Sequence, residues 1–249
     1  MKVLVTGASG FIGKHLVAGL NKLKDTVIYE FDKHTTSECF EKYCSDCDFV
    51  YHLAGVNRAL NESDYMAGNV ELTEKLLTIL KKYQNKCPVL YSSTIHAILS
   101  TPYGISKKTA EDLLMTYEKE TGAKVYIYRF PNIFGSGCKP NYNSVIATFC
   151  YNIARGLAIK LDDPNTVLRL SYVDDLTGEL LQVLTGKMNQ DGNGFYSVKE
   201  VNHLSLGEIA ELISIFQKCQ EYKVSLPLAE PFIKKLHDTY LSYLPDNRP

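Results

Sequence analysis

The chain has 249 residues, 45% hydrophobic and 22% charged, with a formal net charge of -1. That length suits one large α/β domain, or a domain with a small lobe, and the near-neutral balance excludes a global field that would steer nucleic acid or anionic lipid. The start MKVLVTGASGFIG lacks the apolar run of a signal peptide, and no segment supplies the roughly 18 apolar residues of a membrane span, so the expected compartment is the cytosol.

Residues 2–6 are a β-branched run that predicts a strand, and the GASGFIG turn opens a periodic segment with Ile12, Leu16, Val17 and Leu20 on one helical side. Strands are predicted at 26–31 and 49–53, with an unusually short cysteine- and acid-rich segment between them. Helices at 69–84 and 103–121 enclose a strand at 89–91; Gly122 terminates the second helix and 124–129 is the next strand. This alternation predicts an α/β fold with a doubly wound, mostly parallel Rossmann-type sheet. After Arg129 the rhythm changes to a loop over 130–143, a helix over 144–156, a strand over 166–173 and a helix over 174–186. Helices at 205–218 and about 229–243 follow, and the polar tail PDNRP is expected to be loose. The expected organisation is a dinucleotide-binding core over 1–130 and, over 131–249, mainly a small C-terminal substrate-binding lobe, with segments around 165–186 returning to the core.

Seven cysteines, at 39, 44, 47, 87, 138, 150 and 219, read as reduced thiols without a secretory signal. Cys44 and Cys47 form one CxxC pair, but no second pair or nearby histidine completes a four-ligand set, so no metal is expected.

Gly7, Gly10 and Gly13 follow a strand and open a helix, the context that makes a glycine pattern a dinucleotide signal. The first two allow a tight turn and close approach by a pyrophosphate, the third lets the helix pack on the sheet, and Ser9, Phe11 and Ile12 line the approach. Asp32, at the end of the second strand, would accept bonds from an unphosphorylated ribose, whereas Lys33 and His34 would favour a 2'-phosphate, so the residues leave the choice between NADH and NADPH open.

Tyr103 and Lys107, at i and i+4, share a helical face. A lysine ammonium beside a phenol pulls its pKa toward neutrality, which an acid-base tyrosine needs. A hydroxyl from Thr94, or from its neighbours Ser92 and Ser93, would hold a substrate oxygen. YxxxK pairs are common on solvated helices, and the preceding glycine loop and YSST strand end are what favour chemistry here. Arg129, Pro131 and Asn132 leave a strand end, where their backbone would frame a nicotinamide pocket. Asn57 and Arg58 lie past the HLAG strand end, facing the expected cleft as candidate substrate contacts, Arg58 either as a ligand of a phosphate or sugar oxygen or as a loop cation. Asn143 would cap the following helix, Asn69 would cap another, His52 reads as a satisfied buried group, and Asp174 and Asp175 suit a helix start.

TGASGFIG, DFVYHLAG, the SST cluster, PYGISK and YVDD resemble the extended short-chain dehydrogenase/reductase family, whose members mostly act on nucleotide sugars with a nicotinamide cofactor. The resemblance implies that Gly7, Gly10 and Gly13 hold the pyrophosphate and that Leu53, Ala54 and Gly55 pass beside the cofactor. It makes Tyr103 the acid-base residue, Lys107 its pKa partner and a ribose ligand, and Thr94 the hydroxyl member, with Ser93 in reserve. AGVNR, KPNYNSVIATFCYNIARG and DTYLSYLP are similar to a narrower group, the reductase domains of two-domain capsular polysaccharide enzymes. That similarity implies NADPH-dependent reduction of the C4 ketone of a UDP-4-keto-6-deoxy-N-acetylhexosamine, giving UDP-2-acetamido-2,6-dideoxy-L-talose on the route to UDP-N-acetyl-L-fucosamine. It also implies that Lys139, Asn141, Tyr142 and Asn143, with the helix over 144–155, contact the UDP moiety; Arg155 is either a diphosphate partner or a cation suited to a helix's last turn.

The six histidines, at 15, 34, 52, 96, 203 and 237, are scattered, so the metal site of the cupin epimerase domain in those enzymes has no counterpart here and epimerisation is not expected of this sequence. An epimerase, as a cupin domain or a separate protein, is the expected partner, and the family's habits imply a homodimer. Two rivals stay open: an NAD-retaining 4-epimerase or 4,6-dehydratase, and a non-catalytic nucleotide-binding or scaffold protein. Ile95 and His96 occupy the place where a dehydratase carries an acidic pair, which weakens dehydration.

Overall fold

The computed structural model describes residues 1–188, 190–191, 193–224 and 229–245, so most of the tail expected to be loose lies outside the described residues. The chain divides into two compact units, Met1–Phe130 with Thr177–Lys199, and Pro131–Leu176 with Glu200–Pro249. Where the sequence suggested a return to the core around 165–186, the returning segment is Thr177–Lys199.

The first unit is built on five parallel strands: Lys2–Thr6 (β1), Val27–Phe31 (β2), Phe49–His52 (β3), Val89–Thr94 (β4) and Val125–Phe130 (β5). Their order is β2-β1-β3-β4-β5, so the chain reverses direction across the sheet between β1 and β3, the place where such sheets open a crevice at their carboxyl ends. Phe11–Leu20 (α1), Ser37–Asp46 (α2), Glu62–Tyr65 (α3), Leu72–Lys82 (α4) and Pro102–Thr121 (α5) connect them. Side chains alternate faces along a strand. Leu4, Val50, Tyr91 and Ile127 pack with Phe40 and Cys44 of α2, Leu76 and Leu80 of α4, and Ala110 and Leu114 of α5. Tyr51, of opposite parity, donates to the Leu180 carbonyl at 2.7 Å, in the helix Val173–Val183 (numbered α7 below).

Helix α2 lies in the segment that showed no helical signal. Thr36 caps it by accepting from the Cys39 amide, and it buries Phe40 and Cys44, one turn apart. Cysteine here acts as a small hydrophobe: Cys47 is also in the core, its Sγ 3.7 Å from that of Cys87. The expected helix over 69–84 is instead α3, a π-helical stretch Met66–Glu71, and α4. Gly122, at φ 73°, ends α5 in the left-handed region.

The second unit holds Asn132–Phe134 (β6), Val145–Ile153 (α6), Val167–Tyr172 (β7), the start of α7, Asn202–Ser205 (β8), Leu206–Tyr222 (α8) and Pro231–Ser242 (α9). Its sheet runs β6-β7-β8, parallel and then antiparallel. Strand β6 interrupts what the sequence presented as a loop, because its three residues carry no period of their own and are fixed by pairing with β7. Phe134, Phe149, Leu170, Ile213, Phe216 and Tyr240 form its core. No helix among the described residues is long and apolar enough to cross a membrane.

Candidate active site

The glycine loop follows β1. Gly7 has φ +70°, and a Cβ there would lie 2.8 Å from the Ala54 backbone just past β3; on Gly13 it would lie 2.1 Å from the Gly7 carbonyl. Glycine at these two positions lets the loop lie against the β3 end and α1 lie against the loop. Gly10 precedes α1 without a side-chain cap, and the helix carries no acid in its first turn. Its first N–H groups lack intrahelical acceptors, and this donor set, with Ser9, Phe11, Ile12 and Gly13 around it, suits a pyrophosphate. Asp32 accepts from the His34 amide at 2.8 Å, and its own amide donates to Thr35, so the carboxylate shapes the turn after β2, with Lys33 and His34 exposed.

Strand β4 extends three residues beyond the expected run, and this places Ser92, Ser93 and Thr94 in regular alternation at its carboxyl end. The Ser92 hydroxyl donates to the His52 carbonyl and the Ser93 hydroxyl to Glu111 Oε1 at 2.5 Å. Thr94 is left without such a carbonyl or carboxylate acceptor: its hydroxyl accepts from the His96 amide at the start of a 3₁₀ turn, Ile95–Ile98, and it lies near enough to Tyr103 to oppose the upward shift of that phenol. That turn sits on the first turn of α5 at Gly104, where a Cβ would meet the Leu99 carbonyl at 2.3 Å. Thr101 caps α5 and Pro102 occupies its first position.

The Tyr103 hydroxyl also donates to Asn57 Oδ1 at 3.0 Å, so Asn57, expected to meet substrate, holds the tyrosine. Burial pushes this phenol up to about 12, with nearby Thr94 opposing. Lys107 is not among the groups that shift this phenol. The Lys107 ammonium donates to the Ser92 carbonyl at 2.6 Å and lies 4.5 Å from the centre of the Tyr91 ring. Burial brings its own pKa down to about 7, with Glu111 opposing.

Asn69, expected as a helix cap, is a buried clamp inside the π-helical stretch. Its Oδ1 accepts from the Val56 amide, and its Nδ2 donates to the Val56 carbonyl and to Ser106, which itself donates to the Tyr103 carbonyl. The segment Leu53–Asn57 is thereby pinned to the first turn of α5. Gly55 belongs to the same contact, since a Cβ there would lie 2.7 Å from Asn69 Oδ1. His52 lies beneath, between Thr6 at 2.7 Å and Thr73 at 2.9 Å. Thr73 gives its proton to the Asn69 carbonyl and so accepts from Nε2, which leaves Nδ1 to accept from Thr6. Burial and the Lys107 charge push this imidazole down to about 3, so it is neutral.

Sequence reasoning missed Glu111. It lies one turn beyond Lys107 and two beyond Tyr103, and that i, i+4, i+8 carboxylate on an inward face was the available signal. Arg129, expected to act through its backbone, pairs with Glu111 by two side-chain bonds at 2.9 and 2.7 Å.

The remaining candidates lie in or beside other structure. Arg58 is exposed. In the second unit, Pro131 is buried, and Asn132 donates to the Arg169 carbonyl. Lys139 lies over the Tyr142 ring, and Asn141, at φ 54°, donates its amide to Thr148. Asn143 is exposed and lies one residue outside the cap position of α6; Ser144 occupies that position and accepts from the Ala147 amide. Arg155 lies just past the end of α6, stacks on Tyr151 and donates to the Tyr243 carbonyl at 2.7 Å. Asp174 and Asp175 fall in the first turn of α7, with Asp175 paired to Lys235.

Residues 3–198 match the NAD dependent epimerase/dehydratase family. Over 247 residues the chain is 35% identical to UDP-2-acetamido-2,6-beta-L-arabino-hexul-4-ose reductase of Pseudomonas aeruginosa, covering 99% of this chain and 66% of that protein. The crystal structure of the capsular polysaccharide assembling protein CapF from Staphylococcus aureus superposes with a TM-score of 0.88 at 43% identity, over 98% of this chain and 65% of that one. The chain therefore spans about two thirds of the length of these two relatives. Thermus thermophilus UDP-glucose 4-epimerase in complex with NAD, 18% identical with a TM-score of 0.78 over 98% of this chain and 99% of that one, shares the fold. These matches bear out the family resemblance and the likeness to the capsular reductase domains.

Proposed function

The chain belongs to the NAD dependent epimerase/dehydratase family, and we propose that it reduces the C4 ketone of a UDP-4-keto-6-deoxy-N-acetylhexosamine with a nicotinamide cofactor, giving UDP-2-acetamido-2,6-dideoxy-L-talose. The observation that carries this reading is the Tyr103 hydroxyl, held by Asn57 near the end of β4, where Ile95 and His96, not acids, follow Thr94. Dehydration would need acid-base groups for the sugar carbons beside the ketone. Reduction needs one proton for the C4 oxygen.

A pyrophosphate would be held by the loop Gly7–Gly13 and the start of α1, while Leu53, Ala54 and Gly55 border the same crevice. When bound, the cofactor supplies hydride. Thr94 orients the carbonyl oxygen, and Tyr103 donates its proton to that oxygen as negative charge develops. A phenol that burial keeps protonated at neutral pH is in the right state to give a proton. Lys107 lies one turn along the same helix to support the phenolate left behind. The 35% identity to a UDP-hexulose reductase across the chain supports the substrate class. NADPH as reductant, Lys139, Asn141, Tyr142 and Asn143 as contacts for the nucleotide, a homodimer, and an epimerase that supplies the ketosugar belong to the same proposal.

The test is spectrophotometric. Purified protein is mixed with NADPH or NADH and a UDP-4-keto-6-deoxy-N-acetylhexosamine of verified integrity, with and without a cupin epimerase, and the sugar product is identified. Cofactor oxidation matched by 4-hydroxyl product is expected; no oxidation with either cofactor overturns the proposal.

A further inference from the structure

Glu111 is completely buried, yet its carboxylate has three side-chain donors. Oε1 accepts from Ser93 at 2.5 Å and from Arg129 Nε at 2.9 Å, and Oε2 accepts from Arg129 Nη2 at 2.7 Å, with Lys108 at 3.9 Å. The Arg129 guanidinium is itself fixed, 3.6 Å from the centre of the Phe195 ring. One carboxylate thus joins α5, which carries Tyr103 and Lys107, to β4, which carries Thr94, and to β5. An ion pair taken out of water is costly, and replacing it by apolar groups is often neutral for stability, so burial alone gives no reason to keep it.

We propose that Glu111, clamped by Arg129, is a positioning residue for the reduction: it turns the Ser93 hydroxyl away from the cleft, leaving Thr94 beside Tyr103, and supplies the buried negative charge that keeps Lys107 cationic. The proposal rests on the reductase reading for its catalytic consequence and on the Glu111 geometry for the rest. Lys107 meets the Tyr91 ring and the Ser92 carbonyl from β4 and lies beside Gly55, and the charged or titratable groups that it acts on or that act on it are Glu111, one turn along its own helix, and neutral His52 on β3. Glu111 is the one carboxylate among them. It opposes the desolvation that brings Lys107 down to about 7, so without it the ammonium would release its proton at lower pH.

The test compares wild type with Glu111→Gln and Glu111→Asp, using protein carrying ¹³Cε-labelled lysine, with the Lys107 resonance assigned from Lys107→Arg. The Lys107 titration midpoint and the alkaline limb of the turnover profile are both measured. In Glu111→Gln both are expected to move to lower pH by about one unit, whereas Glu111→Asp keeps the charge and stays within about 0.3 unit of wild type while turnover falls. If Glu111→Gln fails to fold, the double variant Glu111→Gln/Arg129→Met, which leaves no uncompensated buried charge, is measured against Arg129→Met alone, so that loss of the Arg129 charge cancels in the comparison. A Lys107 midpoint that moves by less than about half a unit, or upward, overturns the proposal. Wild type that oxidises no cofactor would refute the reductase reading, while the NMR titration would still decide whether Glu111 sets the charge of Lys107.

Discussion

At the scale of the residue, the hydroxyl question has a geometric answer. The sequence reading puts Thr94 first with Ser93 in reserve; pairing of β4 through Thr94 separates the three hydroxyls, because Ser92 is spent on the His52 carbonyl and Ser93 on Glu111. Thr94→Val is expected to lower kcat by about 10²- to 10³-fold, the usual cost of removing one donor to a developing oxyanion. Part of any stability loss, about 1 kcal/mol, will come from the lost cap on the 3₁₀ turn. Thr94→Ser keeps the hydroxyl and its bond from the His96 amide and should stay within about tenfold of wild type. Steady-state kinetics at saturating cofactor checks both, and equal activity in Thr94→Val would show that another group holds the substrate oxygen. Tyr103 and Lys107 were legible because their spacing is a helical turn. Their electrostatics were not, because the direction of the Lys107 ammonium depends on a backbone carbonyl that no sequence pattern marks.

At the scale of the element, the five parallel strands were readable from apolar runs, and α1 and α5 from period and punctuation. The misses share a cause: their signal is tertiary. Helix α2 buries only Phe40 and Cys44 among charged and polar neighbours, β6 and β8 are held by pairing with β7, and the π-helical stretch turns Asn69 inward where a regular helix start was expected. Asn69 and Ser106 together fix the segment bearing Asn57 against the turn bearing Tyr103. Glycine offers a sharp contrast between elements. Gly13→Ala would drive a Cβ into the Gly7 and Ala8 backbone at 2.1 and 2.8 Å, whereas at Gly178, in α7, it would meet nothing within 4 Å. Urea unfolding should show Gly13→Ala destabilised by more than about 3 kcal/mol or unfolded, and Gly178→Ala stabilised by about 0.5–1 kcal/mol. Similar effects at the two sites would mean that α1 does not lie tightly on the glycine loop.

At the scale of the whole molecule, His52 links stability to pH. Its folded pKa of about 3 lies below the ordinary value of about 6.5. Between these values the unfolded chain binds a proton that the folded chain does not, so stability falls as pH drops from about 6.5 toward 3, by at most about 1.4 kcal/mol per unit from this group. Imidazole NMR at pH 5 should find His52 neutral with its proton on Nε2; a protonated ring at that pH would contradict the Thr6–His52–Thr73 chain. The central claim, that the molecule reduces a ketosugar and releases oxidised cofactor each turnover, is tested most directly by isotope. NADPH or NADH carrying deuterium at the transferable position of nicotinamide C4 is supplied with the UDP-4-keto sugar, and the product is analysed by NMR and mass spectrometry. One deuterium at sugar C4 per cofactor oxidised is the predicted result. Sugar converted without deuterium and without cofactor consumption would mean internal redox with a retained cofactor, and would contradict it.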